Sequence, residues 1–303
     1  MQRYDSRWLG TLLITGSAVA YSLSGFFTQL IEQDVWTVLF WRGIFGGLFI
    51  GAYVLWRKRS DPLESVCGMG QAGLRVTLLS TLATICFINA LKVAPVAEVM
   101  TIHAAIPFLT AVLAFAFSGE NEGWGTWAAS IVAMIGVVVM LDPSASGNHL
   151  AGYGFAGAMA LSYAAMMVII RQNRHTSMLP AASLSAFLCA IVVLPFAGPM
   201  AVTISSMAKL AMFGTLQFGM GLLLMTLGTR LISATSSALI GSVENPLAPF
   251  WVWLAFNERP TIATWIGGSI VIAAVIGEVA IKSQKAHVVM RQVAAAGHRR
   301  SSD

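Results

Sequence analysis

The sequence predicts an all-α polytopic membrane protein, with ten transmembrane helices in two inverted five-helix repeats. Three observations predict it. First, 57% of the 303 residues are hydrophobic and only 10% are charged, where a soluble domain carries about 25% charged residues. Second, the apolar runs are long: Trp8 to Leu30 holds no charge, and about 20 apolar helical residues cross a bilayer. Third, the chain repeats itself. Glu120 precedes Trp127 by the seven positions that separate Glu258 from Trp265, and Pro107 answers Pro246. The copies lie about 138–140 positions apart, and internal repeats in a polytopic membrane protein point to transport, with a site between the halves.

The ten helices follow in order. Trp8–Ile31 opens on an interfacial tryptophan and stops before Glu32 and Asp34; Val35–Trp56 stops at Arg57-Lys58-Arg59. Leu74–Leu91 runs to Lys92, Val96–Phe117 to Gly119-Glu120, and Gly125–Leu141 to Asp142-Pro143. Gly152–Ile170 ends at Arg171, Pro180–Phe196 near Gly198-Pro199, and Lys209–Thr229 at Arg230. Ala234–Phe256 ends before Asn257-Glu258, and Ile262–Ile281 before Lys282. The first repeat is 8–141, the second 152–281, and 282–303 is a basic cytoplasmic tail. Arg3 and Arg7 before Ala18-Val19-Ala20 resemble a cleavable signal peptide, but the apolar run continues to Leu30, so it reads as the first span.

Orientation follows from loop cations. With the N-terminus in the cytoplasm, 14 of the 18 Lys and Arg fall in inside segments and 3 in outside ones, and Arg42 alone lies within a span. Both termini are then cytoplasmic in a cell inner membrane. Five spans per copy is an odd number, so the second copy enters upside down. The same asymmetry explains the net charge of +5 as a topology signal, with no nucleic acid partner.

Cys67, Cys86 and Cys189 show no metal-ligand spacing, and no cofactor is implied. Without a Walker motif or a clustered catalytic set, direct ATP drive and enzyme activity are not expected. Four-residue spacing of small side chains marks Gly16, Ala20 and Ser24, then Ala156, Ala160 and Ala164, and most strongly Gly43, Gly47 and Gly51. Such a stripe lets another backbone approach, either within the bundle or across a homodimer. Pro107, Pro246 and Pro249 fall inside spans and remove backbone hydrogen bonds there, which makes them the hinge candidates.

Arg42 with Ala90-Leu91-Lys92, Pro107 and Gly119-Glu120, then Glu244, Pro249 and Asn257-Glu258-Arg259-Pro260, resemble the drug/metabolite transporter superfamily, in its ten-helix EamA-domain family. The resemblance covers about Gly10 to Ile281 and departs at Asn257, where glycine is usual. It implies ten helices around a central cavity that opens alternately to each side. Helices one, three, four, six, eight and nine would line it, and the hairpins three–four and eight–nine would move.

Seven residues are candidates for substrate binding. Glu244 lies mid-span beside the prolines and suits a substrate ammonium group or a coupling proton. Arg42 lies roughly 10 Å into its helix and suits a carboxylate, or else pairs with Glu98 or Asp34. His103 is a candidate proton relay. Tyr21, Ser22 and Tyr163 supply hydroxyls at matching depth, and Trp41 a deep aromatic wall. Glu278 suits an exposed ion pair with Lys282, four residues on. The expected function is secondary transport, as an exporter of small metabolites such as amino acids or drug-like compounds. An uptake permease of the same fold and a non-transporting scaffold are the alternatives. The partners are a small-molecule substrate and the lipid bilayer. A phosphatase fused after Asp303, active only outside the cytoplasm, is expected to be silent; activity would reverse the assigned orientation.

Overall fold

Within hydrocarbon no water satisfies the backbone, so each apolar run closes its own hydrogen bonds as helix. The computed structural model describes residues 2–57, 68–93, 99, 102–119, 123–139, 150–199, 202–257, 262–263 and 265–281. These hold helices and turns and no strand. In the first half, α1 (Gln2–Ser22) and α2 (Ser24–Leu30) make one span. They are followed by α3 (Val35–Arg57), α4 (Gly70–Val93), α5 (Ile106–Ser118) and α6 (Trp124–Val139). In the second half come α7 (Leu150–Gln172) and α8 (Leu179–Val193), extended by a 3-10 turn at Leu194–Phe196. Next, α9 (Ile204–Met212), a π-helical Phe213–Gly219 and α10 (Met220–Thr229) form a continuous span. The last are α11 (Ala234–Gly241), α12 (Glu244–Phe256) and α13 (Trp265–Ile281). Six of the helical segments are long and apolar enough to cross a membrane, and three more are shorter and apolar.

Several ends and interruptions differ from the expected spans. The first span breaks at Leu23, whose N–H turns back to the carbonyl of Ala20. The eighth begins at Ile204 rather than Lys209, because the Thr203 hydroxyl caps it by accepting from the Ser206 N–H. The ninth is two helices, separated at Ser242–Val243, and the fourth turns at Ala104–Ala105. Both breaks sit just before a proline, Pro107 or Pro246, which offers no N–H to the carbonyl four residues earlier. At Pro249 the helix continues unbroken.

The repeated Gly119-Glu120 and Asn257-Glu258 motifs acquire a backbone meaning. Gly119 (φ 59°) ends α5 and Asn257 (φ 58°) ends α12, each in the left-handed conformation and each with its N–H returning to a carbonyl of the last turn. Asparagine is the next most tolerant residue there after glycine, so the departure at Asn257 preserves the cap.

The packing repeats as the sequence does. α4 packs along α7, and their counterparts α10 and α1 pack likewise; α3 and α8 pack on each other. The glycine stripe of α3 is consumed in that last contact. A β-carbon on Gly43 would stand 2.6 Å from the Ala186 carbonyl, and one on Gly47 3.0 Å from the Phe187 ring. Ser183 donates to the Gly47 carbonyl at 2.9 Å. This face therefore joins the two halves of one chain and is closed to a second copy. Ala156, Ala160 and Ala164 are fully buried. Large apolar side chains such as Leu48, Leu78, Ile135 and Ile276 point outward, as lipid-facing residues do.

Gly43→Val is expected to destabilise the protein by about 1–3 kcal/mol through overpacking, read as a lower melting temperature in detergent. Gly154→Ala, with nothing within 4 Å of the added carbon, should be neutral or slightly stabilising.

Candidate functional site

Polar side chains that cannot face lipid turn inward, and here they converge where helices are interrupted. An open cavity with an empty volume of about 760 Å³ lies between the halves. The first span contributes Tyr21, Ser22 and Ser24; α4 contributes Ser80, Thr84 and Phe87. Tyr163 comes from α7, Gln217 and Phe218 from the π-helical segment, and Glu244 and Asn245 from the start of α12. His103 and Arg42 complete the polar lining. The spans named by the resemblance are therefore the ones that line it, with α3 added through Arg42.

A second cavity of about 380 Å³ lies toward the Trp8 end, lined by Ile14, Ser17, Met225 and Ser237. Tyr21, His103, Tyr163 and Glu244 line both cavities. These four side chains form the partition between them.

At the partition His103 Nε2 stands 3.2 Å from Glu244 Oε1. The pair carries opposite charges when the proton sits on the imidazole and none when it sits on the carboxyl. It can therefore hold one proton, or exchange it for another cation, without leaving a lone charge in the bilayer. The two residues come from the interrupted fourth and ninth spans, one from each half. Phe87 flanks the imidazole, with ring centroids 6.1 Å apart.

Arg42 is buried, and Asp34, one of its two expected carboxylate partners, does not hold it. Its Nε donates to Gln217 Oε1 at 3.2 Å, and its guanidinium lies 4.3 Å over the Phe218 ring and 5.3 Å over Phe213. A hydrogen bond and two cation–π contacts hold the charge in place while it lines the cavity. Asp34 instead accepts from the N–H groups of Trp36 and Thr37 at the start of α3, both at 3.0 Å. Slight burial opposes its charge, but hydrogen bonds from Thr37 and Trp36 hold its carboxyl below the usual range. Glu98, the other expected partner, lies outside the described residues.

The remaining candidates separate. The Tyr21 ring lies against the backbone of Gly221, where a β-carbon would stand 2.9 Å from it, and Gln217 donates to the Tyr21 carbonyl at 3.3 Å. Ser22 lines the cavity, yet its hydroxyl donates to Val19 and accepts from Trp251 Nε1 at 2.8 Å, tying the first span to α12. Trp41 lies away from both cavities, stacked on Phe45 with its Nε1 donating to the Pro199 carbonyl. Glu278 is buried rather than exposed. It accepts from Ser236 at 2.8 Å beside the start of α11, and Lys282 lies outside the described residues.

Sequence reasoning missed Gln217 and Asn245. Each is an amide in an apolar run, a signal that weighing only the charged residues passes over. Gln217 orients Arg42. Asn245 is buried, and among the described residues its amide nitrogen and oxygen have no hydrogen-bond partner.

A two-fold-repeated helical bundle with cavities on either side of a histidine–glutamate contact is the architecture of a membrane carrier. The chain belongs to the EamA-like transporter family, whose model matches residues 8–142 and 150–279. Among its relatives are proteins described as S-adenosylmethionine uptake transporters. That of Rickettsia conorii is 32% identical over 185 residues, 60% of this chain and 62% of the relative. That of Rickettsia prowazekii is 30% identical over 192 residues, 61% and 64% of the two chains. The aligned region thus spans less than two thirds of these relatives. A crystal structure 17% identical in sequence superposes with a TM-score of 0.79, covering 90% of this chain and 98% of that one; it shows the fold alone.

Gly221→Val is expected to push Tyr21 into the partition and lower transport several-fold. Gly154→Ala, with nothing near the added carbon and no part in either cavity, should leave it unchanged.

Proposed function

We propose that the protein is a secondary transporter taking up a cationic, amino-acid-bearing metabolite of the S-adenosylmethionine type by alternating access between its two cavities. The observation that carries this reading is the charge arrangement of the larger cavity. Arg42 and Glu244 line the same space, and they suit a substrate with a carboxylate at one place and a positive charge at another. The sulfonium centre of such a substrate has no hydrogen to donate. Carboxylate attraction and aromatic faces are the means of holding it, and Tyr21, Phe87 and Tyr163 provide those faces. Uptake takes the place of the export that the resemblance favoured, because the named relatives are uptake transporters.

In this reading the partition is the gate. When substrate cation reaches Glu244, the carboxylate exchanges His103 for it, and the halves of the fourth and ninth spans separate. A coupling proton fits the same exchange, moving onto the pair as the substrate leaves. Pro107 and Pro246 place the flexible points beside it. Pro249 leaves the Asn245 carbonyl without an N–H from the residue four positions on. The five-helix units 8–141 and 152–281 and both termini at the cytoplasmic face of the inner membrane complete the reading.

Cells expressing the protein should accumulate labelled S-adenosylmethionine, and unlabelled compound should compete. Glu244→Gln should reduce the initial rate by about tenfold or more, the scale of losing one charged hydrogen-bonding partner. Accumulation no greater than in cells lacking the protein would overturn the assignment, and efflux of preloaded compound without uptake would reverse its direction.

A further inference from the structure

We infer that the end of the bundle carrying Trp8 and Trp56 holds a binding site for the phosphate of an anionic phospholipid, built from Arg57, Arg174 and Arg230. None of the three lines either cavity, so the site is independent of what the cavities carry. α3 and the eighth span run side by side in the same direction. Gly214 faces Phe45 and the Arg42 backbone, and a β-carbon on Gly219 would stand 3.0 Å from the Phe49 ring and 3.3 Å from the Gly46 Cα. Arg57 lies eleven residues beyond Gly46, and Arg230 eleven beyond Gly219. Eleven residues are about three helical turns, so the two helices deliver an arginine each to the same place. Partial burial, and after it the neighbouring charge of Arg57, hold the Arg230 guanidinium below its ordinary range. Arg174 joins them through the backbone. Arg230 Nε donates to the Arg174 carbonyl at 2.8 Å, and Arg171 Nη1 donates to the Arg230 carbonyl at 2.9 Å. The link between α7 and α8 is thereby fastened to the end of α10.

Arg57 donates to the Tyr53 hydroxyl at 2.9 Å, and Arg174 to His175 Nε2 at 3.3 Å. Neither of these two, nor Arg230, meets a carboxylate among the described residues. Like charges gathered this way repel one another, and an anion among them is attracted by all. Depth decides what the anion is. Trp56, next to Arg57, is 72% exposed and Trp8 59%, and tryptophans at span ends sit at headgroup level. Leu48 and Leu55 of α3 also point outward, which leaves that side of the helix to acyl chains. A phosphate at this level belongs to the bilayer. Arginine forks bind its oxygens in pairs, whereas a zwitterionic headgroup brings a cation of its own that the arginines repel. The bound lipid would tie α3 of the first half to α10 of the second.

The test titrates the full-length protein in detergent with dioleoylphosphatidylglycerol or dioleoylphosphatidylcholine and reads its melting temperature. Phosphatidylglycerol should stabilise the wild type at about tenfold or more lower mole fraction, since each arginine at a headgroup contributes about fivefold in affinity. Arg57→Gln and Arg230→Gln should each raise the phosphatidylglycerol requirement about fivefold, and Arg57→Lys, which keeps the charge, by less than about twofold. Arg75→Gln removes an exposed cation of α4 that makes no hydrogen bond or ion pair with the three arginines, and it should change nothing. Equal stabilisation of the wild type by the two lipids would overturn the inference whether or not the variants fold. So would an equal loss in Arg75→Gln, which leaves only the general attraction of a positive surface. Stabilisation by inorganic phosphate as strong as that by phosphatidylglycerol would also overturn it, and would mark a soluble anion instead of a lipid.

Discussion

An unpaired carboxylate in the middle of a bilayer is expensive, and the architecture is arranged around the place where one is met. Glu244 and His103 approach to 3.2 Å, each from a span that is interrupted at that depth. The interruption and the pair need one another. A continuous apolar helix has no reason to stop at mid-depth, and a broken one needs a polar neighbourhood for its loosened backbone. This contact joins the two halves of the molecule at residues that line both cavities.

The rigid surroundings have the opposite character. α3 and α8 meet through glycine, alanine and serine, closely enough that a single added carbon would collide with backbone. The π-helical turn of the eighth span presses on α3 in the same way, with Gly214 against Phe45 and the Arg42 backbone. A π-helical segment re-aims the side chains it carries, and here it carries Gln217 and Phe218, the partners of Arg42. Close packing thus fixes a charged residue beside the cavity, while the spans that carry His103 and Glu244 are interrupted next to it. Pre-existing partners also explain how Arg42 is accommodated in the interior.

Much of the fold was legible in the residues. Uncharged runs bounded by charges and tryptophans marked the spans, and the Glu-to-Trp spacing with its paired prolines marked the duplication. Pro107 and Pro246 led to the real interruptions because a missing N–H acts locally. Leu23 carried no such mark, so the break in the first span was invisible. Glu244, His103 and Arg42 could be singled out because ionisable groups in hydrocarbon are rare. Their partners could not: Arg42 reaches a glutamine 175 positions away, and no spacing encodes that distance. Trp41 has the depth of a cavity residue and the wrong face, which periodicity within one helix does not settle.

The sequence by itself determined the membrane class, the repeat and the residues too polar to be idle, because each follows from hydration or from backbone chemistry within a few residues. The tertiary structure decided which of those residues meet. It turned the glycine stripe of α3 onto α8, buried Glu278 against Ser236, and set His103 of one half against Glu244 of the other. Those outcomes depend on how two similar halves pack across a shared axis. The helices are repeated but the polar side chains are not, so the contacts across that axis are set only when the halves come together.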